Sequence, residues 1–149
     1  MNFWWLFLLV AGASWLLTGL LRRYALARSL MDVPNNRSSH SVPTPRGGGL
    51  SIVLTFLAGL LFFWALSLLD TAVFISLSGA GVMVSVIGFI DDHGHIAARW
   101  RLLGHFSAAG WLIFWLGGVP PLNLYGFSVD LAWLGDALLV IALVWLLNL

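Results

Sequence analysis

Residues 72–90 read AVFISLSGAGVMVSVIGFI and run straight into Asp91-Asp92. A run of this length without a charged side chain matches a membrane crossing, which takes about 20 residues for a hydrocarbon core of about 30 Å. Outward from it, comparable runs occupy 2–21, 49–69 and 102–118, and a fifth begins near 137 and is still apolar at 149. The run at 2–21 is not preceded by a basic segment and is too long for a signal-peptide core. Barrel strands would show as alternating segments of about ten residues, so these unbroken runs predict helices. The chain has 149 residues, 60% hydrophobic and 9% charged, with a mean hydropathy of +0.97. A soluble domain carries about a quarter charged residues. The expected fold is all-α: a single domain over 1–149, a polytopic transmembrane helix bundle with four full spans plus a truncated fifth. The fifth run, about 13 residues, falls short of the usual crossing length, so the chain is expected to be the N-terminal part of a larger protein.

The charges set the orientation. All seven basic residues are Arg, with no Lys, Glu or Cys in the chain. The absence of Cys removes disulfides and thiolate metal sites, and a net charge of +1 lacks the clustered basic excess that nucleic-acid binding needs. Arg22, Arg23, Arg28, Arg37 and Arg46 lie between the first two spans, and Arg99 and Arg101 between the third and fourth; the remaining connections hold Asp70, Asp130 and Asp136. Loops 22–48 and 91–101 then share one side, which the positive-inside rule makes cytoplasmic, with the N-terminus outside. Trp4, Trp5, Trp64, Trp100, Trp133 and Trp145 read as anchors at the lipid interface, where membrane lipids are their partners.

The first cytoplasmic loop reads Asp32-Val33-Pro34-Asn35-Asn36-Arg37-Ser38-Ser39-His40-Ser41-Val42-Pro43-Thr44-Pro45-Arg46-Gly47-Gly48-Gly49. Its prolines fix φ and remove donors, which predicts extended backbone. Its glycines open a helix and offer free N–H groups to an anion. Arg37 and Arg46 can grip phosphate oxygens bidentately, and His40 can donate a hydrogen bond. A juxtamembrane loop whose arginines serve topology and lipid headgroups accounts for the same residues, and the loop alone leaves both readings open.

Asp91 and Asp92 close the third span at the negative end of the helix dipole, and their like charges repel. A cation relieves both penalties. Oxygen ligands without Cys favour Mg²⁺, with Mn²⁺ as the alternative. Adjacent helical residues point about 100° apart, so a shared site requires the helix to fray, which Gly94 permits. The other explanation is a water boundary neutralised by Arg99 and Arg101. His93 and His95 read as solvated loop residues. His105, inside the fourth span, is expected to face a cavity or a partner, and the small residues around it (Gly104, Ser107, Ala108, Ala109, Gly110) suggest close helix packing.

Together these residues resemble the polyprenyl-phosphate N-acetylhexosamine-1-phosphate transferases, the family related to phospho-N-acetylmuramoyl-pentapeptide transferase. Three segments carry the resemblance: the loop from Asp32 to Gly49, Gly88-Phe89-Ile90-Asp91-Asp92, and Trp145-Leu146-Leu147-Asn148-Leu149, which looks like the approach to an Asp-Gly-x-Asp-Gly segment. The absence of Lys and the segment Pro43-Thr44-Pro45-Arg46 place the resemblance in the O-antigen-type branch. It implies transfer of a sugar 1-phosphate from a UDP-amino-sugar to polyprenyl (undecaprenyl) phosphate, releasing UMP. That is the first membrane step of cell-envelope glycan synthesis (O-antigen, lipopolysaccharide or peptidoglycan), at the cytoplasmic face of the bacterial inner membrane. Asp91 and Asp92 would be catalytic and hold Mg²⁺. Arg37, His40, Thr44, Arg46, Gly47, Gly48 and Asn148 would bind substrate, and a homodimer is compatible.

Two other classes compete. The CDP-alcohol phosphotransferases need an adjacent Asp-Gly, which Asp92-His93-Gly94 lacks, and no Asp follows until Asp130. A cation-binding transporter or membrane assembly subunit would place its carboxylates near mid-bilayer on broken helices, whereas these stand at a span end. The 149-residue chain alone is expected to release no UMP from a UDP-sugar and polyprenyl phosphate. Clear turnover by it would contradict that.

Overall fold

The structure, a computed structural model, describes residues 4–32, 34, 41–45, 47–94 and 96–149. Five helices dominate: α1 (Trp4–Ala27), α2 (Gly49–Ala65), α3 (Thr71–His93), α4 (Ala98–Leu116) and α5 (Ala132–Leu147). Two small antiparallel ladders accompany them, β1 (Met31–Asp32) with β2 (Thr44–Pro45), and β3 (Leu122–Leu124) with β4 (Phe127–Val129). The ladders correct the purely helical expectation. The first joins the two ends of the proline-rich loop through backbone bonds between Met31-Asp32 and Thr44-Pro45. In the second, Tyr125 and Gly126 both take positive φ (48° and 89°), the two-residue turn whose twist matches paired strands.

Successive helices run antiparallel. Thr18 of α1 meets Ser51 of α2, Trp64 at the end of α2 stacks on Phe74 near the start of α3, Asp91 at the end of α3 meets Arg101 at the start of α4, and His105 of α4 meets Asn148 after α5. One end of the bundle therefore gathers Arg22, Arg23, Gly47–Gly49, Asp91, Asp92, Arg99, Arg101 and Asn148. The opposite end holds Asp70, Asp130 and Asp136.

Among the described residues, α1 and α3 are the two helices that qualify by length and composition to cross a membrane, while α2 and α5 are apolar but have 17 and 16 residues. The outer surface is apolar almost all round. Trp4, Phe7, Leu8, Trp15, Phe114, Trp133 and Trp145 are all more than 60% exposed, on a surface that water would penalise and lipid would not. The buried apolar set is small (Ala25, Leu60, Ala108, Ala109, Ile113 and Val144), so close helix contact, rather than a large core, holds the bundle.

Several boundaries differ from expectation. α1 continues through Arg22 and Arg23 to Ala27, because Arg is a good helix former and its long stem reaches back to water. α4 starts at Ala98, so Arg99 and Arg101 are helical, and the expected loop 91–101 shrinks to 94–97. α5 starts five residues earlier than the sequence suggests. Just ahead of it Asp130 accepts from Ala132 N–H (2.8 Å), and Asp136 sits inside it with Oδ1 accepting from Val119 N–H (2.7 Å). A carboxylate with a backbone partner does not end a helix.

The closest helix contact is α3 on α4. Trp111 donates Nε1–H to the Ile75 carbonyl (3.0 Å) and stands against Gly79, where an added Cβ would overlap the indole; at Gly104 an added Cβ would overlap the tip of Ile87. An isoleucine tip can rotate away, but a hydrogen-bonded indole cannot. Gly79→Ala is therefore expected to destabilise the detergent-solubilised protein by about 1–3 kcal/mol, more than Gly104→Ala does. The loss should be smaller in a Trp111→Phe background, as read from thermal unfolding.

Candidate functional site

The site lies at the polar end of the bundle, around the last turn of α3. That turn is helical through His93, with Gly94 N–H bonded to the Ile90 carbonyl (2.8 Å). The expected fraying is absent, and the two carboxylates diverge as a regular helix dictates. Asp92 faces α2, lining a cleft with Gly47, Gly49, Leu50, Ser85 and Phe89. Asp91 faces α4, lining a second cleft with Arg101, His105 and Asn148. Gly88, one turn earlier, borders both. Adjacent acids in sequence thus serve adjacent clefts.

Asp91 resolves an electrostatic problem shared by two helices. It stands at the negative end of α3, while Arg99 and Arg101 stand at the positive end of α4, and each charge is disfavoured by its own helix dipole. The four-residue corner brings these ends together. Asp91 Oδ1 accepts from Ile96 N–H (3.0 Å) and Oδ2 from Arg101 Nη1 (3.4 Å). Both side chains of the pair stay partly exposed, so the pair adds little net stability and chiefly fixes the corner. Asp92 is half-buried and, among the described residues, accepts no hydrogen bond.

Across from Asp92 the chain enters α2. Gly47 adopts φ +87°, a left-handed conformation that favours glycine, and Gly48 precedes the first turn with ordinary helical angles. An added Cβ at Gly47, Gly48 or Gly49 would meet nothing within 4 Å, so no neighbour crowds these glycines and space stays open beside Asp92. Ser51, fully buried, pins this entry: its Oγ donates to the Gly48 carbonyl (2.8 Å) and pairs with Thr18 Oγ1 (2.7 Å). Neither residue stood out in the sequence, because a lone serine near a glycine run carries no specific signal.

Of the residues named from sequence, Asp92 and Gly47 meet at one cleft, and Asp91 and Asn148 at the other. Gly48 is the residue before the first turn of α2 and does not line either cleft, and Thr44 is exposed in β2, paired with Asp32. Arg37, His40 and Arg46 fall outside the described residues, as does His95. His93 belongs to α3, bonds through Nδ1 to the Phe89 carbonyl (2.8 Å), and packs its ring between Phe89 and Tyr24. His105 is buried against Asn148, as an ionisable group within a span should be. Arg101, read from sequence only as a neutralising neighbour, is a wall of the second cleft. Among the described residues, no three His, Cys, Asp or Glu side chains converge as a closed metal cage.

A family model described as Glycosyl transferase family 4 matches residues 74–149. A decaprenyl-phosphate N-acetylglucosaminephosphotransferase of Mycobacterium leprae is 34% identical over 102 residues, covering 64% of this chain and 25% of that protein. A probable undecaprenyl-phosphate N-acetylglucosaminyl 1-phosphate transferase of Bacillus subtilis is 25% identical over 140 residues, covering 89% of this chain and 37% of that protein. The chain thus spans between a quarter and two-fifths of the length of these relatives. No solved structure matches it.

The two carboxylates should separate in stability measurements. Asp91→Ala removes the Ile96 and Arg101 contacts together and is expected to lower stability by about 1 kcal/mol. Asp92→Ala is expected to leave the unfolding temperature within about 1 °C, so that any loss of activity in Asp92→Ala reports function. Equal destabilisation by both substitutions would contradict the assignment of partners.

Proposed function

The chain belongs to glycosyl transferase family 4, and from that premise we propose that its full-length protein moves an N-acetylhexosamine 1-phosphate from a UDP-sugar to a polyprenyl phosphate. The relatives, named for polyprenyl-phosphate N-acetylglucosamine phosphotransfer, favour N-acetylglucosamine as the sugar and undecaprenyl or decaprenyl phosphate as the acceptor. The segment Pro43-Thr44-Pro45-Arg46 favours the O-antigen-type branch. The acceptor phosphate oxygen attacks the β-phosphorus of the UDP-sugar and forms a new P–O–P bond. The bond from that phosphorus to its bridging oxygen breaks, and UMP leaves with the electron pair.

The observation that carries this reading is the meeting of unlike groups at one end of the bundle: the glycine entry to α2 against Asp92, and Asp91 against Arg101. Two anionic phosphates can approach only where positive charge offsets theirs. Arg101 is placed to move from Asp91 to a phosphate oxygen, exchanging one anionic partner for another. Asp92, uncommitted among the described residues, is then the carboxylate available for a divalent ion, while Asp91, on the neighbouring cleft, holds Arg101 until phosphate arrives. The donor set fits magnesium, which typically takes one or two carboxylates and completes its shell with water and substrate phosphates. When bound, the ion would neutralise charge developing on the diphosphate. The acceptor needs little help from a base, since a phosphate monoester with a second pKa of about 6 is already mostly dianionic at pH 7.

We further propose five crossings, with the polar end cytoplasmic and the N-terminus outside. The five described arginines, Arg22, Arg23, Arg28, Arg99 and Arg101, lie at or near that end, as the positive-inside rule requires. The prenyl tail would lie along the apolar outer surface in lipid, its phosphate reaching the polar end. A transporter reading is not favoured, because the carboxylates close a helix end instead of interrupting its middle.

In the full-length protein, UMP release should require magnesium and stop on chelation. Asp91→Asn and Asp92→Asn are each expected to lower the rate by about 100-fold or more, with Asp92→Asn raising the magnesium requirement further. Undiminished transfer in both variants would refute the metal role, and ion flux without transfer would favour a transporter.

A further inference from the structure

His105 lies on the second turn of α4, 6% exposed and further along the helix than Arg99 and Arg101. An imidazole held among apolar side chains needs a hydrogen-bond partner, and here the partner is Asn148: Nδ2 stands 2.9 Å from His105 Nδ1. The same Nδ2 donates to the Val144 carbonyl at 2.7 Å. A backbone carbonyl only accepts, so Val144 fixes which end of the Asn148 amide carries nitrogen. The second hydrogen on that nitrogen is the one directed at His105, so His105 Nδ1 must accept it. This leaves Nδ1 without a hydrogen and puts the imidazole proton on Nε2.

With both amide hydrogens engaged, Asn148 Oδ1 is the uncommitted polar atom of the side chain among the described residues. Asn148 and His105 line the same cleft as Asp91 and Arg101. An amide oxygen accepts hydrogen bonds and repels phosphate oxygens, so its natural partners there are the Arg101 guanidinium or water held by a cation. We propose that His105 is a positioning residue for the transferase site. By accepting from Asn148, it holds the amide with Oδ1 offered to the cationic side of the cleft. This deepens the function proposed above and rests on it. It also changes the role assigned to Asn148: the residue serves the groups that hold phosphate, not phosphate itself.

The coupling can be measured in the full-length protein by UMP release, using His105→Leu, His105→Asn, Asn148→Ala and the double variant His105→Leu/Asn148→Ala. His105→Leu and Asn148→Ala are each expected to cost about 10–100-fold in kcat/KM, the range typical of groups that orient a ligand rather than touch substrate. The double variant should be no worse than Asn148→Ala alone, because His105 acts through Asn148. His105→Asn, whose Oδ1 falls where Nδ1 stood, should recover most of the rate. Independent, multiplying losses would overturn the proposal, as would His105→Asn behaving like His105→Leu. The ¹⁵N spectrum of labelled histidine decides the matter even where a variant fails to fold or wild type shows no transfer. An unprotonated Nδ1 in wild type supports the arrangement and the opposite tautomer refutes it, whereas absence of UMP release from wild type with magnesium counts against the function alone.

Discussion

The corner between α3 and α4 governs the polar end of this molecule. A helix that ends in two acids and one that begins with two arginines are each mismatched with their own dipoles. Placed in sequence with four residues between them, they correct each other. Asp91 takes the Ile96 N–H and the Arg101 guanidinium, and below it Trp111 against Gly79 and Ile87 against Gly104 keep the two helices in register. The divergence of Asp91 and Asp92 follows from this arrangement, because the turn that carries them is held regular instead of being free to unwind.

The opposite end shows what a carboxylate does when it is purely structural. Asp70 accepts from Ala72 N–H at the start of α3, Asp130 from Ala132 N–H at the start of α5, and Asp136 from Val119 N–H beyond α4. Each satisfies a backbone donor that a helix end leaves without an intrahelical partner or that a tight connection exposes. Asp92 differs from all three in having no such partner among the described residues. The contrast separates the acids that satisfy backbone donors from one that satisfies none among the described residues.

Much of this was legible in the sequence. The apolar runs located all five helices, since a period-free hydrophobic stretch has few other uses at that length. The Arg distribution put Gly47, Asp91 and Asn148 at one end of the bundle, and His105 stood out as an ionisable group within a span. Helix ends were less legible. Arg22, Arg99 and Asp136 look like boundaries, yet α1, α4 and α5 all contain such residues, because a charge at a helix terminus reaches water or a backbone donor without stopping the helix. The two ladders were not legible, because strands of two residues (Met31–Asp32, Thr44–Pro45) or three (Leu122–Leu124, Phe127–Val129) are too short to show a periodicity. The separation of Asp91 from Asp92 follows the 100° step of a regular helix, because the Gly94–Ile90 bond keeps the last turn from fraying.

The central claim is that the end of α3 holds a divalent ion against substrate phosphates. Anomalous diffraction from manganese, soaked into crystals of the full-length protein with a UDP-sugar, would test it most directly. The account predicts a peak about 2.1–2.2 Å from a carboxylate oxygen of Asp92 or Asp91, with Arg101 turned toward phosphate. A metal peak elsewhere, with both side chains left as they stand here, would contradict it.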